Sequence, residues 1–239
     1  MCRAARPVDW KLLARSDRAY VRLATDRAVL GTTFVVDASA SMAFPADGRG
    51  KWTLAREVAV GLAAVAHTSA DPVGLAVAHA QGVTALRGRT RRGVVAEIAH
   101  ALDEVAPGGA SPLAPVLATV RGRVVIITDC LGDVDDVRRA ARVLVAQGGE
   151  VTVVHVVSRL ELEPPPGTLL AVDPESPAVE RSLTDDGRAA YQERFSEWRA
   201  QVARRWRDDG VSYVEAHDDE PAEHVVRRVV AASQRAGRT

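Results

Sequence analysis

Cysteine is scarce: Cys2 near the start and Cys130 after an apolar run are the only two in 239 residues. Two cysteines make no disulfide framework, and their spacing offers no CxxC arrangement for zinc, so the chain reads as reduced and cytoplasmic. Long hydrophobic runs are missing as well. No window reaches the ~18 to 20 uninterrupted apolar residues of a membrane-spanning helix, and the opening MCRAARPVDWKLLARSDR lacks the apolar stretch of a signal peptide. An excess of either charge is also absent. Lys+Arg and Asp+Glu balance at 31 each, which removes the electrostatic footprint of a general nucleic-acid binder. Lysine itself is nearly absent, with only Lys11 and Lys51 among those 31 basic residues. That skew fits a GC-rich coding composition, and no function is drawn from it.

What is present is globular. A hydrophobic fraction of 47% with 26% charged residues argues against disorder and against a fibre. The length suits one large domain, taken here as residues 31–239 behind an N-terminal segment of residues 1–30 in which 21–24 form a short strand or edge segment. Residues 33–36 (TFVV) are β-branched and aromatic and run abruptly into Asp37, as a buried strand running into a functional loop does. Leu54, Val58, Leu62 and Val65 recur at helical spacing within 53–68. Strands are then expected at 73–80 and 82–88, joined as a hairpin by a turn at Gln81 and Gly82. A helix at 91–105, a short helix after Ser111, a strand at 123–130, a helix at 135–147 and a strand at 151–157 follow. Pro164, Pro165 and Pro166 break the pattern. A short strand at 169–176, a long charged helix at 185–209, a strand at 211–216 and a helix at 220–235 complete the chain. On the long helix, Tyr191, Phe195, Trp198, Val202 and Trp206 make a stripe that reads as core. Strands alternating with helices at this rhythm specify an α/β fold: a doubly wound, mostly parallel sheet with one antiparallel strand and helices on both faces.

In such sheets ligands sit beyond the carboxyl ends of the strands. The loops expected there carry Asp37, Ser39 and Ser41 as D-x-S-x-S, Ser111 after a Gly-Gly turn, and Asp129 after RVVIIT. Taken alone, D-x-S-x-S is weak, because Asp and Ser also cap helices and build turns. The order of all three loops along the chain makes it specific. These five residues resemble the metal-ion-dependent adhesion site of von Willebrand factor A domains. The resemblance implies that Ser39, Ser41 and Ser111 coordinate Mg²⁺ (or Mn²⁺), with Asp37 and Asp129 holding coordinating waters or binding the ion themselves. Mg²⁺ wants about six oxygens and keeps several waters, which suits hydroxyls and water-bridged carboxylates. Two departures stand out: the loop threonine of that family is Ser111 here, and the glycine after its final aspartate is Cys130.

A closer resemblance covers most of the chain. VDWKLLARSDRAYVR (8–22), VVDASASMAF (35–44), KWTLA (51–55), DPVGLAV (71–77) and GVSYV (210–214) are similar to the bacterial von Willebrand A subgroup called domain of unknown function 58. That resemblance implies a role beside MoxR-type AAA+ ATPases, and hence a protein-interaction module whose ion takes an Asp or Glu side chain of a partner. Two other readings compete. A phosphoryl-transfer or hydrolytic enzyme would use Asp37 as nucleophile, but the second carboxylate of a D-x-D pair is replaced by Ser39. No G-x-S-x-G, phosphate-loop or H-E-x-x-H motif is present, and the six histidines are scattered. The expectation is therefore no catalysis. The other alternative is a metal-free scaffold in which the serines act as caps.

Overall fold

A computed structural model describes residues 31–46, 49–167, 169–172, 180–183 and 185–236. The N-terminal segment, including the strand expected at 21–24, lies outside the described residues. At the centre is β1 (Thr32–Asp37). Parallel to it run β2 (Val73–His79) on one side and β4 (Arg123–Thr128) on the other. The antiparallel β3 (Gly82–Arg89) closes one edge with a slip in register between Val73 and Leu75, while β5 (Glu150–Val157) and β8 (Ser212–His217) extend the sheet the other way. The order β3-β2-β1-β4-β5-β8 is the doubly wound arrangement expected, with one antiparallel strand.

The central strands are apolar on both faces because helices cover both. On β4, Val125 and Ile127 pack among α1 (Lys51–Thr68), α2 (Val94–Asp103) and α7 (Ala222–Ala236). Val124 and Ile126 point the other way, toward α3 (Leu113–Thr119), α4 (Val134–Ala146) and α6 (Asp185–Asp208). Strand alternation thus divides one run, VVII, between two cores. Burying such a side chain contributes about 1.5 to 3 kcal/mol, so the register of β4 is strongly fixed.

Several expectations need adjusting. Gly82 is the first residue of β3, paired with His79, so the hairpin turn falls on Ala80 and Gln81. The helix expected from 91 starts at Val94, because Gly93 adopts a left-handed φ of 89° that no helix continues through. Residues 169–172 do form a strand, β6 (Leu169–Val172), but it pairs with β7 (Glu180–Leu183) in a separate two-stranded ribbon. The stripe on α6 is core only at its C-terminal end. Val202 and Trp206 are buried, whereas Tyr191, Phe195 and Trp198 are half-buried and stack on one another at 5.6 and 5.4 Å between ring centroids. Among the described residues no helix is long and apolar enough to cross a membrane.

The chain leaves β1 for β2 and β3 on one side, then returns to β4 on the other. The carboxyl ends of β1 and β4 are therefore the point where the winding reverses and a crevice opens. Their register sets Val36 beside Ile127, which brings Asp37 level with Thr128 and places Asp129 one residue beyond.

Candidate functional site

Asp37 ends β1 almost fully buried, and its carboxylate is held on both oxygens by neutral donors. The Ser39 backbone N–H donates to Oδ1 at 2.9 Å, and the Thr128 hydroxyl donates to Oδ2 at 2.7 Å. Among the described residues no cation pairs with it. Burial pushes its carboxyl above the usual range, the negative charge of Asp129 adds to that, and the bonds from Thr128 and Ser39 oppose it.

The next two ligand candidates follow from the backbone turning into a short 3-10 helix (Ala40–Ala43). Ser39 and Ser41 are both buried, with their hydroxyl oxygens 3.1 Å apart. Ser39 occupies the N-cap position, yet its side chain makes no capping bond. The serines are thus not behaving as caps, which removes the main support for a purely structural account of the motif.

Ser111 reaches the same place from a loop pinned over β1 and β2. Gly108 N–H donates to the Ala38 carbonyl at 3.0 Å, and Ala40 N–H donates to the Gly109 carbonyl at 2.8 Å. At Gly109 φ is 60°, and an added Cβ would lie 2.7 Å from the Ala80 Cβ. Only glycine fits at 109, so the second glycine of the Gly-Gly turn read from the sequence is a steric requirement of this loop, whereas a Cβ at Gly108 would meet nothing. The Ser111 hydroxyl donates to the Ala78 carbonyl at 3.1 Å, which leaves its oxygen lone pairs available. Asp37, Ser39 and Ser111, with Pro112, Asp133 and Asp136, line one cleft of about 380 Å³.

Asp129 is equally buried but differently partnered. Its Oδ1 accepts from the Leu131 N–H at 3.2 Å, and its Oδ2 accepts from Lys51 Nζ at 2.7 Å. Lys51 opens α1 with 0% of its surface exposed and donates a second bond, of 2.8 Å, to Glu161 Oε1. Burial alone would lower the Lys51 ammonium, but the two carboxylates outweigh it and its pKa is raised. Beyond Asp129, Cys130 adopts a left-handed φ of 56°. That conformation explains why a glycine is expected there, and the buried thiol is pushed well up by desolvation.

The five sequence-derived candidates therefore gather at the carboxyl ends of β1 and β4, with Asp37, Ser39 and Ser111 lining the cleft, Ser41 bonded to Ser39, and Asp129 coupled electrostatically to Asp37. Three further participants were not singled out in the sequence as site residues: Thr128, Lys51 and Glu161. Lys51 carried a signal, being one of two lysines in a chain that otherwise uses arginine. Glu161 carried none, since only the fold brings it across from beyond β5. Two carboxylates, Asp129 and Glu161, share one ammonium, and Asp37 nearby has no cation of its own among the described residues, so the ionised group falls two positive charges short of neutrality. Among the described residues no three His, Cys, Asp or Glu side chains converge on one point. The donors on offer are hydroxyl oxygens with flanking carboxylates, a set suited to a hard divalent cation that retains water.

A protein-family model described as "Protein of unknown function DUF58" matches residues 3–201. The chain belongs to this family. The match stops short of residues 210–214, so the resemblance seen in GVSYV falls outside it. Solved structures align over most of the DUF58 chain. BatB from Bacteroides thetaiotaomicron is 14% identical, with 88% of this chain and 100% of that one covered and a TM-score of 0.53. An aerotolerance-related membrane protein from Bacteroides fragilis gives 12%, 86%, 99% and 0.55. The pilus adhesin SpaC from Lactobacillus rhamnosus GG gives 12% and 0.52 over 87% of this chain and 30% of the adhesin. At these identities the likeness establishes the fold, the von Willebrand A-like α/β sheet expected from the sequence. A search of curated protein sequences gives no match.

Proposed function

We propose that this DUF58 chain is a metal-ion-dependent protein-interaction module with no catalytic role of its own. The observation that carries the reading is Asp37: a buried carboxylate held only by neutral donors, beside two serine hydroxyls that cap nothing, in a cleft at the winding reversal. Ser39, Ser41 and Ser111 would hold Mg²⁺ or Mn²⁺, with Asp37 and Asp129 holding its waters or binding it directly. When bound, the ion supplies an electrophilic position that accepts one carboxylate of a partner.

The chain's own residues make that interaction conditional. Asp133 and Asp136 stand at the rim of the cleft with Asp37 inside, so without an ion an approaching Asp or Glu meets like charge. The pinned Ser111 loop keeps one wall of the cleft rigid, which lowers the entropy lost on association. The partner sought first is a MoxR-type AAA+ ATPase or its client, on the strength of the family resemblance, with the protein acting in the cytoplasm. Pull-down from the native host with and without EDTA, comparing the parent with Ser39→Ala, tests the reading. Loss of the same partner under both treatments is expected. A partner set unchanged by either would refute it.

A further inference from the structure

Lys51 is a buried cation placed against a site meant for another cation. Its ammonium donates to Asp129 at 2.7 Å, and the side-chain surfaces of Lys51 and Asp129 are 1% and 2% exposed, so little water screens this charge from the cleft. An ammonium this close to Asp129 opposes any divalent ion drawn to the same carboxylate. Glu161 answers it from the other side, at 2.8 Å, with its own side chain 17% exposed.

Glu161 is held for this task by more than the lysine. It stands on α5 (Arg159–Leu162), where its Oε2 accepts the Ser158 N–H at 2.7 Å and the Ser158 hydroxyl accepts the Leu160 N–H, forming a capping box. The Tyr191 hydroxyl donates to its backbone carbonyl at 3.0 Å. One carboxylate oxygen is thus fixed by the cap and the other is aimed at Lys51. Capping alone is satisfied as well by glutamine as by glutamate. The charge of Glu161 is therefore not needed for the cap, and the group it faces is Lys51.

We propose that Lys51 and Glu161 form a charge regulator of the adjacent site: Lys51 holds Asp129 in place, and Glu161 offsets the lysine so that a divalent cation is still admitted. Resting on the metal-ion reading above, this makes Lys51 and Glu161 positioning residues that set how tightly the site holds its ion. Glu161 is the residue to alter, because its substitution leaves the Lys51–Asp129 pair intact.

Mn²⁺ binding followed by the loss of the free-ion electron paramagnetic resonance signal, on the full chain, tests this, with melting temperatures in EDTA as a metal-free measure of folding. Glu161→Gln keeps the cap through its one amide oxygen and so removes both the charge and the oxygen that accepts from Lys51; it should weaken Mn²⁺ at least about tenfold and leave the EDTA melting temperature within about 2 °C of the parent. Glu161→Asp keeps the charge and should stay within about threefold of the parent. Equal affinity in Glu161→Gln and the parent would overturn the regulator while leaving the metal site standing. Equal weakening in the Gln and Asp variants, or a Gln variant that fails to fold in EDTA, would make Glu161 structural and overturn it too. A parent that binds no Mn²⁺, or binds it as well after Asp37→Asn, would bring down the metal reading itself and the regulator with it.

Discussion

Two carboxylates in this protein invite comparison: that of Asp37 on β1, which is buried, and that of Glu215 on β8, which is half-buried. Glu215 is surrounded by charge and donors. It accepts from Arg199 at 2.5 Å, from His217 at 3.0 Å and from the Tyr213 hydroxyl at 3.4 Å, and Tyr213 in turn lies 2.6 Å from His155 Nδ1. Burial alone would raise its pKa, but the His217 bond and the Arg199 guanidinium hold it at about 2. Asp37 has two good hydrogen bonds and no cation among the described residues, and it moves the opposite way. Glu215 sits in a network where the protein's own donors and cations satisfy the carboxylate. Asp37 sits in one that, on the metal-ion reading proposed above, a divalent cation would complete.

The comparison breaks most visibly with metal. Asp37→Asn should weaken Mn²⁺ by about a hundredfold or more, roughly 2.7 kcal/mol, by calorimetry. In EDTA at neutral pH the same variant should melt higher than the parent, because it removes an uncompensated buried charge. The pH dependence carries the same sign. A raised carboxyl pKa stabilises the fold at low pH, and that stability is lost as pH rises through the folded value. The metal-free protein should weaken over that window while the Mn²⁺-induced shift in melting temperature grows. A shift independent of pH would deny Asp37 its role.

At the Glu215 network the opposite holds. Arg199→Met should cost about 1.5 to 3 kcal/mol in urea unfolding, the range for a hydrogen bond to a charged group, toward its lower end because the pair is partly exposed, and should leave Mn²⁺ affinity unchanged. A change in Mn²⁺ affinity would show that the two regions are coupled.

His155 gives a third, smaller test. Burial lowers its pKa to about 4, so between pH 6.5 and 4 the unfolded chain takes up a proton that the folded chain refuses. Stability should fall by about 2 kcal/mol from pH 7 to pH 5. His217 works against this: its pKa is raised, chiefly by Glu215, and its contribution is present at low pH and lost as pH rises. The difference between parent and His155→Phe isolates the first effect, and an identical pH slope in both would exclude it.

The smallest effect is at Cys130. Cys130→Ala loses the thiol and keeps the left-handed backbone, whereas Cys130→Gly loses the thiol and relieves about 1 kcal/mol of strain. The glycine variant should therefore be the more stable of the two by about that amount in urea unfolding. The reverse order would mean that the conformation carries no strain.

Much of this was legible before any coordinates. Apolar runs such as RVVIIT can only be strands covered on both faces, and their alternation with helices fixes a doubly wound sheet whose switch point must carry Asp37 and Asp129. Ser39 and Ser41 were legible because their loop follows β1, and Ser111 because it follows a Gly-Gly turn at the head of a short helix. Lys51 was marked by its rarity but not by its position: at the start of a helix a lysine normally reaches solvent, and only the fold turns it inward to Asp129. Glu161 lies 110 residues from Lys51 in sequence, and no local pattern encodes such a pairing. The α6 stripe misled in part because helical spacing tells which residues share a face but not how far the covering layer extends along it.

The slip in β3 has a consequence for how this molecule can assemble. β3 is an edge strand, and edges of this kind are templates for sheet growth between copies. Here the register breaks between Val73 and Leu75 of β2, opposite the last residues of β3, where Arg87 and Arg89 are exposed. A twisted edge with two cations repels a second copy of itself. Concentrated solutions should thus resist ordered aggregation along this side of the sheet.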